Sequence, residues 1–410
     1  MEEAMLRKYA HLIAVTGANV QKGQPVLLTA SVDQHAFAEM VAEECYKAGA
    51  SWVRVDWNDQ KLTKLHYGYQ SLELLSTVSA WREAQMQQMV DELPCRIYIS
   101  SEDPDGLRGL DMEKVQKSRQ ATYPTVRKYY DQIENKHQWT IAAIPSPEWA
   151  RKVFPGVSDE EAVEKLWQAI FDSCHITKDN DPVEAWKQHN ERFRARCQWL
   201  NEQKFDAMTY KSSNGTDFRA ELIPQGVWCG GGETTIGGVF FNPNMPTEEI
   251  FTSPMKGKAE GKLVSTKPLS YMGQIIENFS ITFENGKAVR WEAEKGEELL
   301  TRMLTMDEGA AYLGELALVP MQSPICQSGI LFYETLFDEN ASCHVAVGRG
   351  FNDCIEGYQS KSDEECKALG INDSMVHTDF MVGADDLCIT GWKNGVATPI
   401  FVNGEWAQNV

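Results

Sequence analysis

The sequence lacks the motifs that identify the commonest hydrolases and nucleotide-binding enzymes. It has no HExxH helix, no GxSxG nucleophile elbow and no GxGxxG after its first predicted strand. The stretch "GKAEGKL" (257–263) resembles a phosphate-binding loop, but its glycines are one residue too close and no serine or threonine follows Lys262. These common active-site and nucleotide-binding motifs are therefore excluded.

Positive charge is also scarce. Lysine and arginine number 39 against 59 acidic residues, which gives a net charge of −20 and a pI near 4.9. This balance excludes nucleic acid and anionic membranes as main partners. The amino terminus has acids where a secretion signal has basic residues, and no apolar run approaches the ~18–20 residues of a membrane span. The ten cysteines form no CxxC pair. We expect a soluble cytoplasmic protein with reduced thiols and no membrane partner.

The first half of the chain alternates strand and helix signals. Its strand-like stretches, separated by helical segments, are "QPVLLTA" (24–30), "SWVRVDW" (51–57), "CRIYISS" (95–101) and "WTIAAI" (139–144). A βαβ rhythm of this kind is typical of a parallel sheet covered by helices. It predicts a Rossmann-like amino-terminal domain over residues 1–204.

Beyond residue 205 the pattern changes to antiparallel strands. All four Asn-Gly pairs of the chain lie here, and Asn-Gly accepts the positive φ angles of two-residue hairpin turns. In "FSITFENGKAVRWEAE" (279–294), Phe279, Ile281 and Phe283 alternate before the turn, and Val289, Trp291 and Ala293 alternate after it. The second domain, residues 205–410, is therefore predicted to be mostly antiparallel β, and the whole chain to be α/β plus α+β.

Ionisable residues interrupt apolar stretches of this second domain. His377 and Asp379 lie two apart in "SMVHTDFMVGADD" (374–386), so a strand would point both to one face. His344 precedes "VAV", and Glu315 is isolated in "YLGELALVP" (312–320). Glu248 and Glu249 enter an apolar segment in "MPTEEIFTSP" (245–254). A lone carboxylate in such a run is costly unless it is paired, hydrogen-bonded or bound to metal.

Two interpretations remain open from the residues alone. Each histidine or acid could be an ordinary core residue with a satisfied hydrogen bond. Together, however, two imidazoles and three carboxylates form a mixed N/O ligand set suited to Zn²⁺, Mn²⁺ or Co²⁺. Five ligands exceed the three of a usual catalytic zinc and fit two ions. The charges agree, since two divalent ions balance three carboxylates and a bridging hydroxide. A Ser/His/Asp or Cys/His hydrolase is disfavoured because no nucleophile motif accompanies either histidine.

The same stretches resemble a known family. "PTEEIFTSP", "LGELALVP", "LFYETLFDENASCHVAVG" and "HTDFMVG" resemble, in order and spacing, the aminopeptidase T and aminopeptidase S family of metallopeptidases. The resemblance implies a cytoplasmic, homodimeric enzyme that uses two divalent metal ions (Zn, Co or Mn) and a metal-activated water. Its substrates would be peptides with a free amino terminus, from which it releases the first residue.

The resemblance also implies which residues bind the metals. The second glutamate of "TEE" is the family's ligand, hence Glu249, while Glu248 falls where relatives vary. Glu315, His344, His377 and Asp379 complete the set. A carboxylate must carry the proton of the water to the leaving nitrogen, and Glu315 and Glu249 are equal candidates for this role or for bridging the metals.

One position departs from the family pattern. Relatives usually carry a tyrosine seven residues after the "ASCH" histidine, beside the reacting carbonyl, and this chain has Phe351. A phenyl ring donates no hydrogen bond. We expect the phenol to be dispensable, because two metals can already polarise the carbonyl. The alternatives are another donor, such as Tyr358 or Arg349, a weakly active or inactive homologue, and a different metal-dependent amidase or hydrolase with the same ligands.

Overall fold

The computed structural model describes residues 2–407, which contain thirteen α-helices and twenty-one β-strands. The helices are α1 (Glu3–Leu12), α2 (His35–Ala48), α3 (Gln60–Tyr69), α4 (Leu72–Leu75), α5 (Ala80–Glu92), α6 (Met112–Ile133), α7 (Pro147–Val153), α8 (Asp159–Ser173), α9 (Pro182–Gln203), α10 (Glu297–Leu304), α11 (Pro324–Ser328), α12 (Thr335–Asp338) and α13 (Asp363–Leu369). Within this described range, no helix combines the length and the apolar character that crossing a lipid bilayer requires.

The strands are mostly short and concentrate in the second half of the chain. They are β1 (Pro25–Ser31), β2 (Trp52–Asn58), β3 (Cys95–Ser100), β4 (Trp139–Ala143), β5 (Ala207–Lys211), β6 (Asp217–Leu222), β7 (Cys229–Gly230), β8 (Glu233–Thr234), β9 (Phe240–Phe241), β10 (Asn244–Met245), β11 (Ile250–Thr252), β12 (Pro254–Val264), β13 (Leu269–Tyr271), β14 (Gln274–Glu284), β15 (Lys287–Lys295), β16 (Leu313–Leu318), β17 (His344–Gly348), β18 (His377–Met381), β19 (Cys388–Lys393), β20 (Val396–Val402) and β21 (Glu405–Trp406).

The chain forms two compact units. The first comprises Met1–Gln188 and Gly232–Pro246, and the second comprises His189–Gly231 and Thr247–Val410. These limits differ from the boundary predicted near residue 205. The second unit begins inside α9 because Phe193 and Leu200 of that helix belong to its hydrophobic core. Residues 232–246 return to the first unit because β10 pairs with β4.

The first unit is built on the predicted parallel sheet. Its strand order is β10-β4-β3-β1-β2, and every pair in it is parallel. The four predicted strands correspond to β1–β4 within one residue at each end, and helices connect them. Helix α2 ends at Ala48, because Gly49 adopts a left-handed conformation (φ 108°) that favours glycine. The prediction of a βαβ domain is confirmed.

The second unit consists largely of two antiparallel sheets. One has five strands in the order β18-β17-β16-β11-β7, and the other has nine, with β12, β6, β5 and β19 at its centre. Side chains of both sheets meet in one hydrophobic cluster, where the ring centroids of Phe279 (β14) and Phe380 (β18) lie 5.4 Å apart. The predicted antiparallel β architecture is therefore confirmed as well.

The hairpin predicted around Asn285-Gly286 is present, with one correction. Both turn residues have positive φ angles (50° and 77°), and the turn joins β14 to β15. The predicted alternation of Val289 with Trp291 is interrupted, because the register shifts after the Thr282–Arg290 pair. This β-bulge places Ala288 opposite Phe283 and leaves Val289 exposed.

Candidate metal centre

The two faces of the five-stranded sheet differ in chemistry. On one face, aliphatic and aromatic side chains of β11, β16, β17 and β18 enter the hydrophobic core; they are Ile250, Leu316, Leu318, Val345, Val347 and Phe380. Because strand residues alternate between faces, their neighbours point to the opposite side. That opposite face carries all five predicted ligands, namely Glu249, Glu315, His344, His377 and Asp379.

Small residues separate the ionisable ones on that face. Ala346 of β17 lies between Glu315 on one neighbouring strand and Asp379 on the other. Ala317 is the partner of His344 across β16 and β17. Both alanines are fully buried and lie outside the hydrophobic cluster of the second unit. Methyl groups at these positions leave space in which longer acidic and imidazole side chains converge.

A β-bulge in β16 places Glu315 on this face. Leu313 pairs with Val347 and Glu315 with Ala346, so Gly314 is an extra residue. In a regular strand, residues 313 and 315 would share a face. The bulge instead directs Leu313 into the core and Glu315 into the site. A Cβ on Gly314 would lie 2.1 Å from the carbonyl oxygen of Arg349, so only glycine fits.

The five side chains converge into two overlapping groups of three. Glu249, Glu315 and His344 form the first group, and Glu315, His377 and Asp379 form the second; in each, the ligand atoms all lie within 4.8 Å of one another. Nε2 of His344 is 3.0 Å from Glu249 Oε2, and Nε2 of His377 is 3.2 Å from Glu315 Oε2. The structure thus brings together every predicted ligand, with Glu315 common to both groups.

Backbone carbonyls orient both imidazoles. Nδ1 of His377 lies 2.7 Å from the carbonyl oxygen of Arg349, and Nδ1 of His344 lies 3.1 Å from that of Ser342. A carbonyl oxygen only accepts, so Nδ1 must donate. In the neutral ring, Nε2 then keeps its lone pair and points toward the carboxylates, which is the arrangement of a metal-binding histidine.

Negative charge dominates the electrostatics. Burial by itself lowers the pKa of His344, but the nearby carboxylates, chiefly Glu249, raise it to about 10. Burial likewise lowers the pKa of His377, but Asp379 and Glu315 raise it to about 9. Burial, and to a smaller extent Asp379 and Glu249, raise the pKa of Glu315 to about 7 against the opposite effect of His377. Each shift shows that the site favours added positive charge.

Unsatisfied polar atoms support the same conclusion. Nε2 of His344, although 3.0 Å from Glu249 Oε2, and Oδ1 of Asp379 are both buried and make no hydrogen bond of acceptable geometry with any described residue. Buried polar groups without partners are rare and costly. The donor set of two imidazole nitrogens and three carboxylates suits divalent cations such as Zn²⁺, Mn²⁺ and Co²⁺, which would satisfy both atoms. The residues present therefore fit a metal.

A fourth buried carboxylate, Glu339, was missed by the sequence analysis. It lies in a short 3-10 helix (Glu339–Ala341) before His344 and is 8% exposed. Burial, and then the charges of Glu249, Asp379 and Glu315, raise its pKa well above the ordinary value. The motif "DENASCH" contained this acid, but its position on a turn rather than on a predicted strand gave no periodic signal that it faces inward.

The turn that contains Glu339 also positions Glu249. Oδ1 of Asn340 accepts a hydrogen bond from the backbone N–H of Glu248 at 2.5 Å. Nδ2 of Asn340 donates to the backbone carbonyl of Leu336 at 2.8 Å. The backbone carbonyl of Asn340 accepts from Ser323 Oγ at 2.7 Å. Asn340 thereby fixes the start of β11 next to the strand of His344. Glu248 is buried but belongs to neither ligand group.

Phe351, at the position of the family tyrosine, lies beside the site. Its ring centroid is 4.7 Å from that of His377. The carbonyl of Arg349 orients His377, and Tyr358 packs against a separate cluster formed by Ile223, Ile355, Cys366 and Ile371.

Comparison with known proteins agrees with this geometry. Residues 2–406 match the model of the thermophilic metalloprotease (M29) family. The chain belongs to this family. Over 98% of both chains it is 42% identical to aminopeptidase AmpS of Bacillus subtilis, and over 98% of both it is 39% identical to aminopeptidase T of Thermus thermophilus.

Solved structures support the same assignment. Wild-type AmpT from Thermus thermophilus superposes with a TM-score of 0.90 at 38% identity, covering 99% of this chain and 100% of that one. A 2,5-dihydroxypyridine dioxygenase from Pseudomonas putida shares the fold alone, with a TM-score of 0.51 at 12% identity and coverage of 100% and 99%. As a member of the M29 family, the protein is a metal-dependent peptidase.

Gly314→Ala tests whether the bulge holds the site together. The new methyl group would displace the Arg349 backbone, whose carbonyl orients His377, so we expect a divalent-cation affinity lower by about 10–100-fold. We also expect a free energy of unfolding lower by about 1–3 kcal/mol. Metal titration and thermal unfolding measure these quantities.

Gly68→Ala is the matched control, because Gly68 lies in α3 and a Cβ there meets nothing within 4 Å. That variant should retain its metal affinity, and its free energy of unfolding should rise by up to about 1 kcal/mol. Unchanged affinity and stability in Gly314→Ala would contradict the role assigned to the bulge.

Proposed function

We propose that the protein is an aminopeptidase that binds two divalent cations and releases the first residue of peptides. The observation that carries the proposal is the pair of three-residue groups that share Glu315. A single metal would need only one group, whereas a shared carboxylate is the usual bridge between two ions. The names of the similar proteins, aminopeptidases S and T, support the reaction.

The two groups indicate how the ligands divide between the ions. Glu249 and His344 would bind one cation, and His377 and Asp379 the other, with Glu315 in contact with both. When bound, the cations would lower the pKa of a water molecule and polarise the first peptide carbonyl. Zn²⁺, Co²⁺ and Mn²⁺ are all compatible with these ligands.

The proton of the attacking water must reach the leaving nitrogen. If Glu315 held both cations, its oxygens would not be available to carry a proton, so the proposed carrier is one of the other acids, Glu249 or Glu339. Phe351 provides no proton and no hydrogen bond to the reacting carbonyl. We therefore infer that its ring acts by contact with the substrate, not by proton transfer.

Removing the metal should abolish activity. Dialysis against a chelator should reduce hydrolysis of leucine p-nitroanilide to background, and Zn²⁺, Co²⁺ or Mn²⁺ should restore it. Glu315→Gln should lower kcat/KM by at least about 10³-fold, because the variant loses the charge that both cations share. Metal content per chain, measured by mass spectrometry, should fall from two toward one or none.

Glu248→Gln is the matched control, since Glu248 is an adjacent acid outside both groups. It should keep two metals per chain and activity within about threefold of the parent. Full activity after chelation, or in Glu315→Gln, would exclude the dinuclear proposal.

A free amine should be required in the substrate. Leucine p-nitroanilide should be cleaved and its N-acetyl derivative should not, because the proposed reaction fixes cleavage by binding the α-amine beside the cations. Steady-state rates on the two compounds measure this preference. Equal rates would instead indicate another metal-dependent amidase or hydrolase that uses the same ligands.

We also propose that the protein works in the cytoplasm as a homodimer. The ten cysteines, all among the described residues, form no disulfide, which suits a reducing compartment. Large exposed apolar side chains of the first unit concentrate between residues 57 and 81; they are Trp57, Leu62, Leu65, Tyr69, Leu72, Leu74 and Trp81. Such exposure is typical of a surface that contacts another chain.

Substitution of two of these side chains tests the dimer. Tyr69 and Trp81 are 87% and 69% exposed, so Tyr69→Glu combined with Trp81→Glu should leave the fold intact and convert dimer to monomer. Size-exclusion chromatography with light scattering gives the mass. Val396→Glu, at a position 66% exposed in the second unit, is the control and should remain dimeric. A double variant that is still dimeric would place the interface elsewhere.

A further inference from the structure

Two phenylalanines of the second unit differ from all the others there. Phe251 and Phe351 are partly exposed, whereas every other phenylalanine of that unit is buried. Their ring centroids are 5.5 Å apart with the planes at 67°, an edge-to-face arrangement. Phe351 in turn lies against His377. The two partly exposed phenylalanines of this unit therefore lie side by side, and one of them contacts a proposed metal ligand.

The strand pattern directs Phe251 toward the site. It follows Glu249 by two residues, so the two side chains share a face of the sheet. Its partner on β16 is Ala317, which is too small to cover the ring, and its partner on β7 is Cys229. The ring thus stands next to the ligand groups on the polar face rather than in the core.

Backbone contacts hold Phe351 in the same place. Its N–H donates to Ser253 Oγ at 2.9 Å, and Ser253 directly follows β11, which carries Phe251. Two residues earlier, the Arg349 carbonyl accepts from His377. One short segment therefore fixes both the His377 imidazole and the Phe351 ring. The backbone thus sets the position of the ring relative to this proposed ligand.

We propose that Phe251 and Phe351 form an aromatic wall that receives the side chain of the substrate's first residue, so that the enzyme prefers large apolar and aromatic first residues. The inference rests on the proposed aminopeptidase function. In such a substrate, the first Cα lies between the amine and the scissile carbonyl, both of which must lie at the cations. Its side chain is therefore the substrate group closest to a wall that touches His377. Acidic side chains would be rejected, because the surrounding groups are apolar or carboxylates.

The test compares p-nitroanilides of phenylalanine, leucine, alanine and glutamate. The parent enzyme should cleave the first two with the highest kcat/KM and the glutamate compound with the lowest. Phe251→Ala and Phe351→Ala should lower kcat/KM for phenylalanine and leucine by about 10–100-fold, mainly through KM, with a clearly smaller loss for alanine. Phenylalaninol, an amine that cannot be hydrolysed, should inhibit both variants more weakly than it inhibits the parent enzyme. Inhibition by alaninol should be the same in all three proteins.

Two further variants serve as controls. Phe351→Tyr keeps the ring and should keep the order of preference, with turnover changed by less than about tenfold. A gain of about a hundredfold, the typical effect of one oxyanion donor, would place residue 351 at the reacting carbonyl and overturn its assignment to the wall. Tyr271→Ala removes a half-buried aromatic side chain that packs on the core cluster of the same unit, and it should not alter the preference.

Dipeptides locate the wall along the substrate. Phe251→Ala should impair Phe-Ala more than Ala-Phe, and the reverse result would assign the wall to the second residue and overturn the proposal. An equal loss of kcat/KM for all four first residues in the alanine variants would also overturn the proposal. These results differ from failure of the proposed function, in which the metal-loaded parent would cleave none of the free-amine substrates or would cleave N-acetylated ones equally well.

Discussion

Mutual repulsion among buried carboxylates is the constraint on which this site depends. Glu249, Glu315 and Asp379 lie on one face of a sheet whose other face is the hydrophobic core, so none of them can turn toward solvent without disturbing that core. Burial of such charges is tolerated only with compensating positive charge. The two histidines compensate for part of it, and two of the site's polar atoms still make no hydrogen bond. The sheet therefore holds the ligands in an arrangement that is stable with cations and strained without them.

The fourth acid changes the charge balance of the site. Three carboxylates alone would leave one positive charge of two divalent cations unbalanced. Without metal, burial and the neighbouring carboxylates raise the pKa of Glu339 and favour its neutral, protonated form. Under the proposed binding of two cations, the nearby positive charge would favour the ionised form, and four carboxylates would then balance four positive charges. Glu339 is buried and lies within electrostatic reach of three of the proposed ligands, so its ionised form would strengthen cation binding and stabilise a positive substrate amine nearby.

The sequence predicted the architecture, and the convergence of the candidate ligands, partly for physical reasons, while the choice of Glu249 over Glu248 came from the family resemblance. Alternation with period two places His377 and Asp379 on one face of a strand whatever the tertiary structure, and an isolated Glu315 in an apolar run requires a partner. Features that depend on chain approach were not predictable. The bulge at Gly314 exists because a Cβ would meet the Arg349 carbonyl, and that carbonyl is 35 positions away in sequence. The bulge at Val289 and the inward position of Glu339 likewise follow from contacts between segments rather than from local pattern.

The fold alone would not have decided the chemistry. A 2,5-dihydroxypyridine dioxygenase has the same fold at 12% identity, so one scaffold accommodates different reactions. What the scaffold contributes is a rigid sheet whose polar face can present several side chains within a few ångströms, with alanines leaving the space between them. Which reaction follows depends on the charge and reach of those side chains and on what borders them. In this chain the rings of Phe251 and Phe351 border the site, since Phe351 lies against His377 and Phe251 lies against Phe351. Under the proposed function, these two rings would contact the substrate while other residues bind metal. A substitution of either phenylalanine would then change the first-residue preference without changing the ligand set.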